Sequence, residues 1–509
     1  MTDVASSGMI TSSWILILIY VAITMFFVIR GALKIKSIND YAVGNVQFSP
    51  LAVGFAMAAS MTSAATFIIN PGFIAFYGWS ASLSFGIAYP LAAIISLIIL
   101  TKGFQKHGAS VKALTMAQWM GTKYNSKSYS LFFAFLSILL ITFIVLILVG
   151  VTKVLSKSLN VPELYVLIGT VVFVFGYMMF GGANSMVYTN TVQAIIMLVV
   201  AFILLGSGYE HFSNGVHGFI DKLQKIDPKL VQSTNESSFL FRDFFEIIFT
   251  QIVIGAAIVC QPHIITKSLL LKTDKDINKY LIWGTITQMI FFSVVFVGFY
   301  ARIAFPDLII NNASLKMDGI IPAYVVREFP VFIGIIVLLG LISAGISTLE
   351  GLIQSISTTV TTDIIKPIFG KFYPSDPAKN EKSFILTNKI VIAGFAIIAI
   401  LLSYDQLINP KLSVAIFAQN GVYAYFSAAF VPILFGMFFK NVPKISVIAA
   451  SVSAITVHFI FYYGKIGIPF TKATGENPGV AAAMAILTSL MVGFMFFTFY
   501  KNSSQKIDK

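Results

Sequence analysis

Long apolar segments recur along the whole chain, and they restrict its fold more than any other feature. We count thirteen that approach or exceed the roughly 20 residues a helix needs to cross a bilayer. In chain order, spans one to thirteen cover residues 11–33, 50–76, 80–102, 128–156, 161–180, 184–208, 243–266, 280–304, 331–362, 386–405, 411–438, 444–464 and 478–500. Because 57% of residues are hydrophobic and 11% charged, a soluble domain is excluded. The sequence predicts an all-α polytopic membrane protein of about 13 transmembrane helices.

The charges suggest an orientation and narrow the possible functions. The formal net charge is +13, but the basic residues lie in short loops between apolar spans, so we expect no nucleic-acid partner. With the N-terminus outside, 22 of the 34 Lys and Arg residues lie inside, and the positive-inside rule favours N-out and C-in. One cysteine, Cys260, excludes an internal disulfide. The sequence lacks HExxH, an acyl-transfer GxSxG and a paired Asp dyad within spans, so we expect no enzymatic activity.

Hydroxyl side chains are concentrated in the stretch 341–363 of span nine. The pair Ser347 and Thr348 lies mid-span beside Ala344 and Gly345, whose small side chains let another backbone come close. Lipid offers hydroxyls no partners, so they should face a protein interior or a wet path. One interpretation is a Na⁺ site, and the other is that these side chains only bond to carbonyls one turn earlier.

Two spans are interrupted at corresponding places. Span two contains Asn70-Pro71-Gly72 and span seven contains Gly255 and Pro262, and both patterns predict a broken helix. Paired interruptions in two halves indicate an inverted-repeat transporter with a midplane site, although a simple proline kink is the alternative for span two. We therefore expect one transmembrane domain over 1–509, with repeats at 50–208 and 240–438. Segment 11–33 would be a peripheral helix, and 444–500 would hold two more.

Several blocks resemble the sodium/solute symporter family. They are SINDYAVG, SAATFIINPGFIAFYG, GGANSMVYTNTVQ, CQPHIITK and ISTLEGLIQSISTTVTTDI, in the family's order between residues 36 and 440. Within the family, FIINPGFIAFYG, QPHIITKSLLLKTDK and GIIPAYVVREFP are most similar to the sodium/pantothenate symporter group. The resemblance implies a leucine-transporter-like core of two inverted five-helix repeats in a bacterial-type cell membrane.

The resemblance also implies site residues. A Na⁺ ion would bind the carbonyls of Ala59, Thr62 and Ala344 and the hydroxyls of Ser347 and Thr348, a set without carboxylates that suits a monovalent cation. Substrate contacts would come from two groups of residues, Ser63 and Thr66 in span two and Ile258, Gln261 and Pro262 in span seven.

One position departs from the family pattern. Asn190 stands where members usually have an Asp that serves a second cation site, and Glu350 lies where a hydroxyl would complete that site. We interpret Asn190 and Glu350 as a possible second-cation or proton position. Glu350 could bind a proton, restore a cation site or only line the inner vestibule, and we favour the vestibule.

The resulting expectation is a Na⁺-coupled secondary active symporter. It would import a small organic solute, most plausibly a monocarboxylate such as pantothenate or a short-chain acid, and would function as a monomer in a lipid bilayer. A neutral or zwitterionic solute such as proline or a sugar is the first alternative. A membrane sensor or channel of the same fold is the second.

Overall fold

The computed structural model describes residues 7–310, 312–409 and 414–507. Nearly all of this is helical, and the predicted all-α membrane fold is confirmed. The first eleven α-helices are α1 (Ser7–Ala32), α2 (Ile38–Val43), α3 (Pro50–Met61), α4 (Asn70–Tyr77), α5 (Trp79–Ala81), α6 (Tyr89–Ser110), α7 (Met116–Lys123), α8 (Lys127–Leu136), α9 (Ile141–Leu159), α10 (Glu163–Gly206) and α11 (Gly215–Ile226). The remaining eleven are α12 (Thr250–Ile258), α13 (Pro262–Ile265), α14 (Asp274–Ser293), α15 (Val297–Ala304), α16 (Ile320–Glu328), α17 (Val331–Thr359), α18 (Lys366–Phe369), α19 (Pro377–Ile408), α20 (Val414–Phe438), α21 (Lys444–Gly464) and α22 (Pro478–Ile507).

Short helical segments of other types join these helices. The π-helical segments are Ala65–Ile69, Ser82–Ala88, Phe245–Phe249 and Val360–Ile365. The 3-10 segments are Ser137–Leu140, Tyr209–Phe212, Pro228–Val231, Thr266–Leu270, Val294–Phe296, Met317–Gly319 and Gly370–Phe372. Strands β1 (Ile309–Ile310) and β2 (Ala313–Ser314) form a small antiparallel hairpin in which Ile309 pairs with Ser314.

The described residues contain ten helical stretches long and apolar enough to cross a membrane, and two bent helix pairs raise the number to twelve. One of the ten includes α10, which has 44 residues and would measure about 66 Å if straight, twice the hydrocarbon thickness. It is broken at Gly182, whose φ of 52° and ψ of −160° are not helical. Dividing α10 there gives the thirteen segments expected from the sequence. Residues 411–413, which open predicted span eleven, lie outside the described residues.

Gly182 is required by both its conformation and its surroundings. A side chain is strained at its positive φ, and an added Cβ would lie 2.8 Å from the carbonyl oxygen of Tyr41. The non-helical turn between the two halves of α10 therefore lies at this residue, in the block GGANSMVYTNTVQ.

The first interruption lies earlier in the chain than the sequence indicated. The axis bends by 59° between Pro50–Met61 and Ala65–Tyr77, so the break falls at Thr62–Ala64 and not at Asn70-Pro71-Gly72. Pro71 stands in the first turn of α4, where its missing N–H costs little. The expectation of a break at the proline was wrong for this span.

The second interruption lies where it was expected. Phe245–Ile258 and Pro262–Leu270 meet at 55°, directly before Pro262, which is again in a first helical turn. The straight segment before each break has a similar length, Pro50–Met61 in one case and Phe245–Ile258 in the other.

Helix α17 is the centre of the packing. From Gly340 to Gln354 every residue is buried, and its neighbours include α3, α9, α10 and α13. By contrast, α1 exposes large apolar side chains such as Leu18 and Phe26, as expected of a lipid-facing peripheral helix.

Candidate functional site

The end of α3 leaves backbone carbonyls without helical partners. Its last four-residue backbone bond runs from Thr62 N to Ala58 O at 3.0 Å, after which Thr62 adopts an extended conformation. The next carbonyls along the chain, beginning at Ala59, therefore need other donors, because the last carbonyls of a helix have no intrahelical partner. A helix that ends inside the protein makes acceptors available there.

Helix α17 supplies hydroxyls to these carbonyls. Ser347 Oγ donates to Ala59 O at 2.9 Å and lies 3.2 Å from Ala344 O. Thr348 Oγ1 lies 3.2 Å from Ala344 O and 3.5 Å from Thr62 O. All five residues are completely buried. The structure thus brings together all five oxygens named for the Na⁺ site, and it also contains the bonds one turn earlier that the alternative interpretation expected.

Ser60 also joins this group, although it is not in the predicted Na⁺ set. Its carbonyl accepts from Thr348 Oγ1 at 3.2 Å, and its hydroxyl donates to Ser347 O at 3.1 Å. Asn190 Nδ2 donates to the Ser60 hydroxyl at 3.0 Å. Asn190 therefore supports α3 beside the five oxygens through a hydrogen bond.

Helix α14 holds the other side of the break. Gln288 Nε2 donates to Thr62 Oγ1 at 2.9 Å, and both side chains are buried. This bond occupies the Thr62 hydroxyl and leaves its carbonyl facing α17. Nothing in the local sequence pattern distinguishes Gln288, since a lone amide in an apolar helix commonly forms an interhelical hydrogen bond.

Next to the break lies a cavity of ≈ 90 Å³. Four of the five residues expected to contact substrate line it, namely Ser63, Thr66, Ile258 and Gln261; Pro262 lies between two lining residues but is not one itself. The other polar and aromatic lining residues are Asn70, Phe85, Tyr89, Phe143, Gln251, His263, Gln419 and Tyr423. Among the described residues around this cavity none is Asp, Glu, Lys or Arg. The wall therefore combines amides and hydroxyls with aromatic rings.

Glu350 is enclosed by helix α10. Tyr177 OH and Thr189 Oγ1 each donate to its carboxyl at 2.5 Å, and Gln193 Nε2 donates at 3.1 Å. The side chain is completely buried, and it is not among the described residues that line the cavities around His263. This placement does not fit the vestibule position that we favoured for Glu350 from the sequence.

A second cavity, of ≈ 20 Å³, lies on the other side of His263. His263 lines both cavities, and neither of its ring nitrogens has a hydrogen-bond partner in the part of the chain that the structure describes. Lys267 lines only the second one and is buried. Within the described residues no group of three or more His, Cys, Asp and Glu side chains is placed to hold a metal.

The break of the second bent pair contains the cysteine of the chain. Cys260 is a free thiol, completely buried, and its N–H donates to Ala257 O at 2.9 Å. It lies two residues after the end of α12 and two residues before Pro262.

A protein-family model described as the sodium:solute symporter family matches residues 41–453. The chain belongs to this family. It is a sodium-coupled solute symporter, and the predicted family and coupling ion are both confirmed.

Two relatives and one solved structure show how far the similarity extends. The sodium/pantothenate symporter of Haemophilus influenzae is 26% identical over 405 residues, which are 76% of this chain and 78% of that protein. The sodium/pantothenate symporter of Escherichia coli is 24% identical over 473 residues, 91% of each chain. The substrate-bound outward-open structure of a Na⁺-coupled sialic acid symporter matches with a TM-score of 0.76 at 17% identity, covering 94% of this chain and 96% of that one. This last likeness establishes a shared fold, the leucine-transporter-like fold expected from the sequence.

Proposed function

We propose that this symporter imports a monocarboxylate, and that its Na⁺ binds the carbonyls of Ala59, Thr62 and Ala344 with the hydroxyls of Ser347 and Thr348. One observation carries the ion site: the oxygens freed by the break after α3 lie within 3.5 Å of the two adjacent hydroxyls of α17. In the structure these hydroxyls donate to the carbonyls. A bound cation would instead take the lone pairs of all five oxygens, and the hydroxyl protons would turn away.

Na⁺ at this position would join two helices that are far apart in the sequence. The three ligands of α17 and the two around the α3 break are about 290 positions apart in sequence. Binding would favour the conformation in which the break and α17 are close, and a ligand shifts an equilibrium only by its differential affinity for the two states. The ion would thereby stabilise Ser63, which lies within the break, and Thr66, which lies just after it; both line the cavity.

The cavity suits a solute with both polar and apolar parts. Gln251, Gln261 and Gln419 provide amide donors, and Ser63 and Thr66 provide hydroxyls against aromatic walls. A carboxylate held by these donors would lie near the bound Na⁺, which offsets its charge. Pantothenate has one carboxylate, an amide, hydroxyls and a branched apolar centre, and two relatives that align over most of the chain are pantothenate symporters. It is therefore the first candidate.

A neutral or zwitterionic solute is the second candidate function. The observation favouring it is that no ionised side chain lines the cavity among the described residues. Such a solute would need no counter-charge from the wall.

The proposal extends to topology and assembly. We place the N-terminus outside and the C-terminus inside a bacterial-type cell membrane, supported by the loop distribution of Lys and Arg. The protein would function as a monomer, with repeats at 50–208 and 240–438 and peripheral helices at 11–33 and 444–500. The family's activity is transport, which supports a transporter without enzymatic function.

The direct test is uptake into proteoliposomes that contain the purified protein. Labelled pantothenate, acetate, lactate, pyruvate and proline are compared with an inward Na⁺ gradient and with choline in its place. We expect Na⁺-dependent uptake of pantothenate, reduced by an excess of unlabelled pantothenate and not by proline. Na⁺-dependent uptake of proline alone would favour the neutral-solute candidate, and equal uptake in Na⁺ and choline would contradict coupling altogether.

A further inference from the structure

Lys267 is a buried basic residue that forms no ion pair with any carboxylate in the part of the chain that the structure describes. Its side chain is 3% exposed, and its ammonium lies 3.7 Å from Met186 Sδ, a weak acceptor. No carboxylate of the described residues lies within 4.0 Å of it. Burying an ammonium in a membrane helix without a counter-charge is costly, so such residues are rare and commonly functional.

The surroundings of Lys267 are polar and partly unpaired. It lines the ≈ 20 Å³ cavity with Thr115, Thr266, Gln354, Ser355 and Thr358. Within the described residues the Thr358 hydroxyl is buried without a hydrogen-bond partner, as are both ring nitrogens of His263. Buried polar groups are normally satisfied, so three such groups around one cavity point to a ligand.

The acidic groups nearby are already engaged. Glu350 accepts from Tyr177, Thr189 and Gln193, as described above. Asp363 accepts from Thr115 Oγ1 at 2.6 Å and from Gln118 Nε2 at 2.8 Å. Neither carboxylate is free to turn toward Lys267 without losing these bonds.

This cavity adjoins the central one. His263 forms part of the wall of both, and Lys267 stands one helical turn further along the same segment. Lys272 follows in the linker, and Lys275 and Lys279 lie at the start of α14; the proposed topology places all three at the inner side. A solute leaving the central cavity inward would pass His263 and meet Lys267 next.

We propose that Lys267 and the Thr358 hydroxyl form a transient inner binding site for the carboxylate of the transported solute. This inference rests on the proposed function, because it requires an anionic substrate. The cavity has room for about one water molecule in this conformation. A carboxylate would therefore enter only when the inner side opens. The site lowers the cost of moving a carboxylate out of the central cavity after Na⁺ departs.

The test measures substrate affinity separately at the outer and the inner side of the transporter. Proteoliposomes with uniform orientation are used to measure the external KM for pantothenate and the internal concentration that half-maximally stimulates exchange. Lys267→Gln should raise the internal constant about tenfold or more, the size of one charge-assisted hydrogen bond, and leave the external KM close to that of the wild type. Lys267→Arg should restore most of the internal affinity. Lys272→Gln removes the same charge from an exposed position and should change neither constant.

Two results would overturn the inner site: an unchanged internal constant in Lys267→Gln, or equal changes in both constants. If Lys267→Gln does not reach the membrane, Thr358→Val decides, since it keeps the shape and the charge of the site. It should raise the internal constant about tenfold, because the bond from the Thr358 hydroxyl to a carboxylate is also charge-assisted, and no rise would contradict the site. Failure of the proposed function is distinguishable, because the wild type would then show no Na⁺-dependent pantothenate uptake.

Discussion

Ser347 and Thr348 differ from the other hydroxyls of α17 in the bonds they make. Thr359 Oγ1, for example, donates to Ser355 O in the same helix at 2.8 Å. Among the described residues it makes no hydrogen bond to another helix. Ser347 and Thr348 bond both within α17 and across to α3. The sequence predicted this pair, but it gave no reason to select Ser60, whose carbonyl is free only because α3 ends one residue later.

The two hydroxyls provide the first prediction. Ser347→Ala and Thr348→Ala should each raise the Na⁺ concentration for half-maximal uptake about tenfold or more, since each removes one oxygen ligand worth about 1.4 kcal/mol or more. Uptake is measured against external Na⁺ in proteoliposomes. Thr359→Ala is the matched control and should behave as the wild type. Unchanged Na⁺ dependence in both alanine variants would place the ion elsewhere.

Glu350 provides the second prediction, which concerns stability. Three donors converge on its two carboxyl oxygens. In Glu350→Gln an amide NH₂ replaces one of these oxygens, so at least one of the three groups would lose its acceptor. We expect the variant to be destabilised by about 1–3 kcal/mol, the cost of a buried unsatisfied group. Thermal unfolding in detergent checks this, with Glu328→Gln, at an exposed position, as the control. An unaltered midpoint would show that the three donors do not depend on the carboxylate.

At the scale of elements, the two interruptions show what a proline pattern predicts. Both prolines stand in the first turn of a helix, but only Pro262 follows a break directly. The break at Thr62–Ala64 is stabilised by tertiary bonds from Gln288 and Thr348, and contacts of this kind are not visible in a local pattern. The existence of two broken helices was therefore predictable, and the exact place of the first was not.

The third prediction follows from the position of this break. Pro71→Ala should leave the Na⁺ concentration for half-maximal uptake unchanged, because the bend and its carbonyls lie seven or more residues earlier. The same uptake assay against external Na⁺ measures it. A marked loss of Na⁺ affinity would mean that the proline itself holds the break open.

Close packing of α15 against α4 provides the fourth prediction. A Cβ at Gly298 would lie 2.0 Å from Pro71 O and 2.8 Å from Ile74 Cβ, so Gly298→Ala forces the helices apart. Overpacking of this kind costs about 1–3 kcal/mol, and the midpoint of thermal unfolding should fall. Gly169→Ala, with no atom within 4 Å of the added Cβ, should not lower it. Equal midpoints in the two variants would contradict the close approach.

At the scale of the whole molecule, most of the architecture was predictable. The length of the apolar segments was enough to predict a membrane protein. The order of the family-like sequence blocks was enough to predict the family. The division into repeats at 50–208 and 240–438 stays a prediction, as do orientation and oligomeric state. Two features depend on contacts between helices that are far apart in the sequence: the three donors around Glu350 and the two cavities that meet at His263. The residue pattern of a single helix does not predict such contacts.

The fifth prediction concerns the charge carried per transport cycle. One Na⁺ with one monocarboxylate moves no net charge, so an interior-negative potential set with K⁺ and valinomycin should barely change the accumulation of pantothenate. A neutral solute with one Na⁺ would gain about 2.3 kcal/mol per 100 mV, roughly a fiftyfold difference in accumulation. A strong dependence on potential would therefore indicate a second cation or a neutral substrate.

The buried thiol in the second interruption has a practical consequence. Because Cys260 is the only cysteine of the sequence, a maleimide can attach at one position only, in the unmodified protein. The side chain has no exposed surface in the present conformation, so the labelling rate reports how often the segment between α12 and α13 opens. The transporter thus carries a native kinetic reporter beside its central cavity, and its gating can be timed without introducing a foreign residue.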